Sequence, residues 1–259
     1  MSAYPHGPAW LERLPDLAAA CIEQWSLVPE EPIDTGHSLV IPAGDAILKL
    51  NPTGDPEPEH EAEALGRWDG RGAVRLLARD DDRRALLIER CRPGTQVWAL
   101  ADDEATEIAA GILERLWVPA DRPFRRLREQ AARWADELPA RGFDPRLVDR
   151  AVSFLREAGP TQRESVLLHQ DLHGGNVLLS RRGWLAIDAK PLVGEREFDV
   201  ASLIRDRRPT TKAQMEWRLS YLVDRLGLDR ERTRGWAIAH ALAWNGSPPM
   251  IECARLLAS

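Results

Sequence analysis

The sequence predicts an α+β fold in two lobes, a small antiparallel sheet followed by a larger, mostly helical region. Two observations lead to this prediction. Short apolar segments separated by turn residues fill the N-terminal part, whereas from Asp102 onward apolar residues recur at helical spacing. Because strands come first and helices afterwards, the two kinds of element should be segregated. The 259 residues suffice for two lobes, so we assign residues 1–91 to the N-terminal lobe and 92–259 to the C-terminal lobe.

The N-terminal lobe begins with a helix and continues with two hairpins. Apolar residues recur at helical spacing from Trp10 to Trp25, and Pro15 lies close enough to the start of this helix to disturb it. Apolar runs predict four strands, at 39–41, 46–50, 74–78 and 85–89. Between the hairpins, residues 59–68 are rich in good helix formers and are followed by glycines, which predicts a second helix.

The C-terminal lobe should be helical except around one short hairpin. We predict helices at 102–117, 121–137, 144–158, 198–205, 211–226, 230–243 and 249–258. Short apolar strands are expected at 165–168, 177–179 and 184–187, and Arg181–Gly183 should form the turn between the last two. The third strand delivers Asp188 at its end, so this carboxylate should lie beside the loop that precedes residue 177.

That loop carries the most informative motif of the chain. Asp171 and Asn176 are separated as in the catalytic loop H-R-D-L-x-x-x-N, where the aspartate orients and deprotonates a hydroxyl and the asparagine binds magnesium. Gly174 and Gly175 allow the loop to turn tightly between them. Asp188 adds a hard oxygen ligand of the kind that magnesium prefers. The pattern therefore predicts a kinase that acts on a small molecule.

Composition excludes other classes of function. The formal net charge is −6, and no long lysine and arginine run interleaves with aromatic residues, so a nucleic-acid partner is not expected. Cys21, Cys91 and Cys253 are scattered and are best explained as reduced thiols. Residues 1–6 lack a basic segment followed by an apolar core, and no stretch approaches membrane-spanning length. We expect a cytoplasmic protein without a membrane partner, whose acidic surface tolerates cationic ligands.

Further segments extend the pattern of the catalytic loop. They are Ala46–Leu50, Glu61–Leu65, Trp68–Leu77, Leu87–Gly94, Ile187–Glu195 and Phe198–Asp199. Together with Leu167–Val177, they resemble the aminoglycoside and hydroxyurea phosphotransferases, and within that family the streptomycin 6-phosphotransferase-like branch. The resemblance spans most of the chain. It departs from the family pattern at Gln170, where glycine is common, and at Ala189, where proline is common.

The resemblance implies a protein-kinase-like fold that binds ATP between the lobes and transfers its γ-phosphate to a hydroxyl of a cationic drug, with GTP left open as donor. Lys49 would pair with the phosphates and be held by Glu61, while the backbone around Arg90 and Cys91 would meet the adenine. The loop Gly36–Leu39, with Ser38, sits where a phosphate-covering loop belongs. Asp171 would be the catalytic base, Asn176 and Asp188 would bind Mg²⁺, and His169 and Asp199 would brace the catalytic loop.

Several residues keep more than one interpretation. Lys190 either faces phosphate, as a catalytic cation, or pairs with Glu195. Glu57, Glu59, Glu61 and Glu63 form an acidic run that would by default be a solvated surface, and the family pattern alone selects Glu61. Asp206, Asp224 and Glu252 could recognise a cationic substrate, or could simply be exposed helix charges.

Alternative functions also stay open. Hydroxyurea or another small metabolite could replace streptomycin as acceptor. His169, Asp171 and His173 could instead belong to a metallohydrolase, although zinc sites of that kind need further ligands. A catalytically silent, kinase-like binding module is the third possibility, yet neither the base nor a metal ligand is missing. We expect a monomer.

Overall fold

A computed structural model describes residues 8–35, 37–206, 210–244 and 246–259. The N-terminal lobe consists of α1 (Pro8–Gln24), β1 (Ile33–Asp34), β2 (Leu39–Ala43), β3 (Ala46–Leu50), α2 (Glu61–Trp68), β4 (Leu76–Asp80) and β5 (Ala85–Glu89). The strands form one antiparallel sheet in the order β1-β2-β3-β5-β4. Because side chains alternate across a strand, Leu48 and Leu50 are buried beneath one face and Lys49 points to the other.

Helix α1 covers the outer face of this sheet. Trp10, Leu14 and Cys21 form a buried stripe that packs against Leu48 and other apolar residues of β2, β3 and β5. The expectation that Pro15 would disturb the helix is wrong, because α1 continues through it to Gln24. Proline removes one helical hydrogen bond, and burial of the apolar stripe offsets that loss.

The C-terminal lobe contains the remaining elements. In chain order they are α3 (Asp102–Leu116), β6 (Arg125–Arg126), α4 (Leu127–Glu137), α5 (Pro145–Ala158), β7 (Val166–Leu168), β8 (Val177–Ser180), β9 (Gly183–Ala186), β10 (Leu192–Gly194), α6 (Arg196–Asp199), α7 (Ala201–Ile204), α8 (Lys212–Leu226), α9 (Arg230–Ala243) and α10 (Pro248–Ala258). Strands β8 and β9 form the predicted hairpin, while β6, β10 and β7 form a small separate sheet. None of the helices in the described part of the chain could span a membrane.

The structure differs from the predicted elements in a few places. The helix expected at 121–137 begins only at Leu127, because Arg125 and Arg126 pair with β10 as a parallel strand. The helix expected at 198–205 is two short helices, α6 and α7. Strands β1, β6 and β10 have two or three residues each, which is too short for a periodic signal in the sequence.

The hairpin β8–β9 is hydrogen-bonded to the chain segments on both sides of β4 and β5. The amide of Val74 donates to the carbonyl of Ala186 (3.1 Å), and the amide of Ala186 donates to Gly72 (2.8 Å). After β5, Gly94 donates to Leu179 (2.9 Å), and Leu179 donates to Thr95 (2.8 Å). The hairpin that leads to Asp188 is thus attached to the N-terminal lobe at Gly72 and Val74, and to the segment that follows β5 at Gly94 and Thr95. The division at residues 91 and 92 stays a prediction.

Candidate active site

Lys49 stands at the centre of a buried charge cluster in the N-terminal lobe. Its Nζ lies 2.7 Å from both carboxylate oxygens of Glu61, the first residue of α2. The amide of Asn51 also donates to Glu61 Oε2 (3.1 Å), and Ser38 Oγ donates to Asn51 Oδ1 (2.8 Å). Lys49 and Glu61 are 5% and 1% exposed, so each charge depends on its partner rather than on water.

Asp188 connects this cluster to the C-terminal lobe. Lys49 Nζ is 2.6 Å from Asp188 Oδ1, and Lys190 Nζ is 2.9 Å from the same oxygen. Burial alone would raise the pKa of Asp188, but the two ammonium groups lower it well below its usual range. Lys190 therefore pairs with Asp188, whereas Glu195 bonds to Arg232, so the alternative pairing of Lys190 with Glu195 is wrong.

The loop 169–176 holds Asp171 and Asn176 together. Asn176 Nδ2 donates to the carbonyl of Asp171 (2.9 Å), and the amide of Ile187 donates to the carbonyl of Asn176 (3.0 Å). Burial raises the pKa of Asp171, an effect that nearby His173 and Lys190 oppose. Residues 171–176 thus form one turn that is closed by a hydrogen bond between its two ends. A backbone hydrogen bond links this turn to the segment that precedes Asp188.

His169 and Asp199 lie behind this loop. Asp199 accepts from the backbone amides of His169 (3.1 Å) and Gln170 (2.6 Å) and from the indole of Trp117 (2.9 Å). Burial raises the pKa of Asp199 to about 6, even though these hydrogen bonds oppose the shift. His169 Nε2 lies 3.0 Å from the carbonyl of Ile187, and burial lowers the pKa of this ring to about 3. Asp199 is thus bonded to the backbone of the loop, and His169 lies beside the backbone before Asp188. Their role as a brace stays a prediction.

Trp98 packs over the catalytic loop, a role that the sequence pattern did not indicate. Its ring stacks on His173 with centroids 5.3 Å apart, and its Nε1 donates to Asp206 Oδ1 (2.8 Å). The other oxygen of Asp206 accepts from the amide of Gly174 (2.8 Å). A Cβ atom at Gly174 would lie 2.4 Å from the Trp98 ring, so glycine is required there. Trp98 lies only a few residues after the predicted division between the lobes at residues 91 and 92. The sequence around it showed no helical or strand periodicity.

A cavity of about 610 Å³ opens beside Asp171. Its walls include Trp98, His173, Asp206, Trp244 and Met250. Asp206 borders the cavity, and its two carboxylate oxygens bond to Trp98 and Gly174. Its role in substrate recognition stays a prediction. A reacting hydroxyl in this cavity would lie next to the proposed base.

Other predicted residues lie farther from this centre. Glu252 is on α10, exposed and paired with Arg255, and Asp224 is exposed on α8; neither lines the cavity. Arg90 lies at the end of β5, where its side chain pairs with Glu30 and its amide donates to Asp45 (2.9 Å). Cys91 is half-buried, and burial raises the pKa of its thiol to about 11. Gly36 of the expected phosphate-covering loop lies outside the described residues, while Ser38 bonds to the Lys49 cluster.

Two oxygen atoms are suited to a hard cation. The Asn176 amide nitrogen is used by Asp171, which leaves Oδ1, and Asp188 uses Oδ1 for both lysines, which leaves Oδ2. An amide and a carboxylate oxygen fit magnesium. Over the described ranges, three or more histidine, cysteine, aspartate and glutamate side chains nowhere gather as a metal site. The hydrolase alternative therefore lacks the ligand set that zinc requires.

Comparison with known proteins found a matching family and similar proteins. Residues 24–246 match the sequence model of a family described as aminoglycoside/hydroxyurea antibiotic resistance kinase. The chain is 35% identical over 261 residues to streptomycin 6-kinase of Streptomyces glaucescens, covering 91% of this chain and 83% of that protein. It is 37% identical over 256 residues to hydroxyurea phosphotransferase of Kitasatospora aureofaciens, covering 91% and 73%.

Solved structures share the fold at low sequence identity. Choline kinase LicA from Streptococcus pneumoniae superimposes with a TM-score of 0.69 at 14% identity, covering 95% of this chain and 99% of that one. A thermostable mutant of aminoglycoside phosphotransferase APH(4)-Ia, in complex with ADP and hygromycin B, gives 0.65 at 14% identity, covering 93% and 97%. The predicted protein-kinase-like α+β fold is confirmed.

Proposed function

Because the chain belongs to the aminoglycoside/hydroxyurea antibiotic resistance kinase family, we propose that it transfers the γ-phosphate of ATP to the 6-hydroxyl of streptomycin. The observation that carries this proposal is the position of Asp171. Its carboxylate lines the large cavity, while Lys49, Lys190 and Asp188 form the charge cluster on the nucleotide side. A hydroxyl and a phosphate can therefore approach each other from opposite sides, as in-line transfer requires.

Asp171 acts as the general base in this proposal. It accepts the proton of the acceptor hydroxyl as the oxygen attacks the γ-phosphorus and the bond from that phosphorus to the bridging oxygen of ADP breaks. The proton then ends on the carboxylate, the phosphoryl group on the acceptor and the bridging oxygen on ADP, which leaves. Asn176 and Asp199 hold the loop backbone, which limits the movement of the carboxylate. Transfer by a positioned base contributes about 10²- to 10⁴-fold to such reactions.

Lys49 and Lys190 supply positive charge on the nucleotide side. Glu61 fixes Lys49 from behind, so its ammonium can exchange Asp188 for a phosphate oxygen without losing every partner. Asn176 and Asp188 would hold Mg²⁺, which neutralises phosphate charge when bound. Ser38 and the backbone at Arg90 and Cys91 complete the proposed nucleotide site.

A second acceptor, hydroxyurea, is favoured by one specific observation. The relative named hydroxyurea phosphotransferase is as similar to this chain as the streptomycin 6-kinases are, with 37% identity against 35% and 36%. Hydroxyurea also carries a hydroxyl that Asp171 could deprotonate. Sequence similarity alone therefore does not separate the two acceptors.

A direct assay separates them. Purified protein is incubated with magnesium ATP and either streptomycin, hydroxyurea or hygromycin B, and mass spectrometry locates the added phosphate. We expect streptomycin phosphorylated at the 6-hydroxyl. Phosphorylation of hydroxyurea alone would transfer the proposal to the second acceptor, and transfer to neither would contradict both. GTP in place of ATP tests the donor.

Location and assembly also form part of the proposal. The three cysteines are free thiols, in line with a cytoplasmic enzyme that uses ATP. We propose that the enzyme acts as a monomer, since Asp171 and the Lys49 cluster come from a single chain. Size-exclusion chromatography with light scattering tests this directly, and a mass of twice 29.1 kDa would contradict it.

A further inference from the structure

A second, smaller cavity lies on the other side of the catalytic loop. Its volume is about 240 Å³. The loop before α2, the segment β6–α4 and the end of α9 enclose it, and Glu57, Arg125, Gln170, Trp134 and Trp244 are among its walls. Gln170 immediately precedes Asp171, and Trp244 also borders the large cavity. The two cavities are therefore neighbours, separated by the catalytic loop and one indole ring.

Two buried polar atoms of this second cavity have no partner within the described part of the protein, and a carboxylate lies beside them. Gln170 is 2% exposed, and its Oε1 makes no hydrogen bond. Arg125 Nη2 is buried without a partner, while its Nη1 reaches Gln130 at 3.3 Å. The Glu57 carboxylate lies in the cavity wall, and burial raises its pKa. Buried polar groups are normally hydrogen-bonded, so this concentration of unpaired groups indicates a ligand or ordered water.

The remaining charged side chains of the cavity contact one another. Arg133 and Arg141 both contact Glu137, at 3.7 and 3.6 Å, and Arg141 also donates to the carbonyl of Leu242 (3.2 Å). Glu57 and Arg125 then remain as one negative and one positive group that are not joined by an ion pair. The cavity thus presents one anionic and one cationic side chain, Glu57 and Arg125, to an occupant.

The polar groups of the second cavity define the chemistry of an occupant. Glu57 and Gln170 Oε1 accept hydrogen bonds, whereas Arg125 Nη2 donates one. A hydroxyl group can do both, because it carries one donor hydrogen and two acceptor lone pairs. Trp134 and Trp244 add aromatic surface of the kind that packs against the apolar face of a sugar ring. Several hydroxyls on one ring would satisfy all three groups at once.

We propose that the second cavity is an acceptor subsite that holds a hydroxyl-rich ring attached to the ring being phosphorylated. This inference rests on the proposed function. Asp171 lines the first cavity, of about 610 Å³, and Gln170 lines the second. The bound acceptor therefore extends past Trp244. Its reacting ring lies beside Asp171, and its next ring contacts Glu57, Gln170 and Arg125. An acceptor with a single ring fills the first cavity alone.

The test compares streptomycin with streptidine, its guanidinium-bearing ring without the attached sugars. We expect Glu57→Gln to raise KM for streptomycin about tenfold, because a hydrogen bond to a charged group contributes about 1.5 kcal/mol or more and 1.4 kcal/mol is tenfold. Its kcat and its KM for ATP should stay within about twofold of the parent, given that the reacting groups are untouched. KM for streptidine should not change.

Glu59→Gln is the matched control, since Glu59 is an exposed carboxylate of the same loop and does not line the cavity. It should leave KM for both acceptors unchanged. An equal increase for streptomycin and streptidine, or no increase for either in Glu57→Gln, would overturn the subsite. Equal thermal unfolding midpoints exclude misfolding as the cause of a loss.

Calorimetric titration of streptomycin without nucleotide separates this inference from the proposed function. Binding that Glu57→Gln weakens about tenfold, in a protein that transfers no phosphate, would remove the function and support the subsite. Phosphorylation of streptomycin with unchanged binding by Glu57→Gln would keep the function and leave only water in the cavity. Absence of any streptomycin binding would overturn the subsite.

Discussion

The two sides of the catalytic loop differ in how completely the protein satisfies its own polar groups. On the nucleotide side, Lys49 contacts Glu61 and Asp188, and Lys190 contacts Asp188 as well. On the side of the second cavity, Gln170 and Arg125 leave buried atoms unpaired. The difference teaches that the chain pairs its own charged groups around Lys49, and leaves polar atoms unpaired around the second cavity, where we propose that part of the acceptor binds.

The strongest test of the preassembled side is Asp171→Asn. The amide cannot take the hydroxyl proton, so we expect turnover to fall by about 10²- to 10⁴-fold. KM for ATP should change little, because Lys49 and Glu61 remain in place. Steady-state kinetics measures both constants, and Asp224→Asn, on exposed α8, is the control. Turnover equal to that of the parent would remove Asp171 as the base.

Glu61→Gln should have the next largest effect. It leaves Lys49 buried with Asp188 as its only carboxylate, and breaking a buried pair costs about 3 to 5 kcal/mol. We expect the lower end of that range for the free energy of unfolding, together with a higher KM for ATP. Glu63→Gln, a more exposed carboxylate of the same helix, should change stability much less. Urea denaturation measures both variants, and equal losses would contradict the pairing.

The pH dependence of stability tests the groups behind the loop. Burial lowers the pKa of His169 to about 3 and that of His240 well below its ordinary value. Below pH 6.5 the unfolded chain therefore binds two more protons than the folded protein at these sites. The free energy of unfolding consequently decreases as the pH is lowered. Asp199 has the opposite effect, because its pKa is raised to about 6. Below that pH the folded protein binds one proton at Asp199 that the unfolded chain does not yet bind, which reduces the loss of stability.

The net expectation is a loss of about 1.4 kcal/mol per pH unit below pH 6, for one proton. Denaturation curves at pH 7, 6 and 5 measure the slope. His240→Gln should flatten it, because this variant removes one of the two buried histidines. A wild-type stability that does not vary over this range would contradict the buried, neutral histidines.

The smallest effect is expected for Trp98→Phe. Phenylalanine keeps the stacking on His173 but loses the indole hydrogen bond to Asp206, which is worth about 1 kcal/mol. Turnover should fall by a few-fold, since the loop is still held by Asn176 and Asp199. Trp217→Phe, an exposed tryptophan of α8, serves as control. A loss as large as that of Asp171→Asn would show that Trp98 does more than position the loop.

Much of the fold could be predicted because its signals are local. The helical periodicity of α3, α5, α8 and α9 and the turn at Arg181–Gly183 lie within short segments of the chain. Strands β6 and β10 could not be predicted, because their pairing depends on contacts between residues far apart in sequence. The prediction for Pro15 was wrong because it considered only the effect of proline on the local helical hydrogen bonds. The packing of α1 on the sheet, which stabilises the helix, depends on residues far away in sequence.

The candidate site divides in the same way. Asp171, Asn176 and Asp188 could be proposed together because their spacing reports one loop and one hairpin. Glu57 belongs to an acidic run that is ordinarily a solvated surface, and only the tertiary structure turns it inward. Glu252 is the opposite case, since its carboxylate is exposed, pairs with Arg255 and does not line the cavity.

The hydrogen bonds that join β8–β9 to Gly72, Val74, Gly94 and Thr95 have a consequence for the catalytic cycle. If the cleft between the lobes opens with these bonds intact, Asp188 keeps its position relative to Lys49. The helices that carry Trp244 and Met250 then move away from both residues. The Lys49–Asp188 pair would then persist while the cavity beside Asp171 widens.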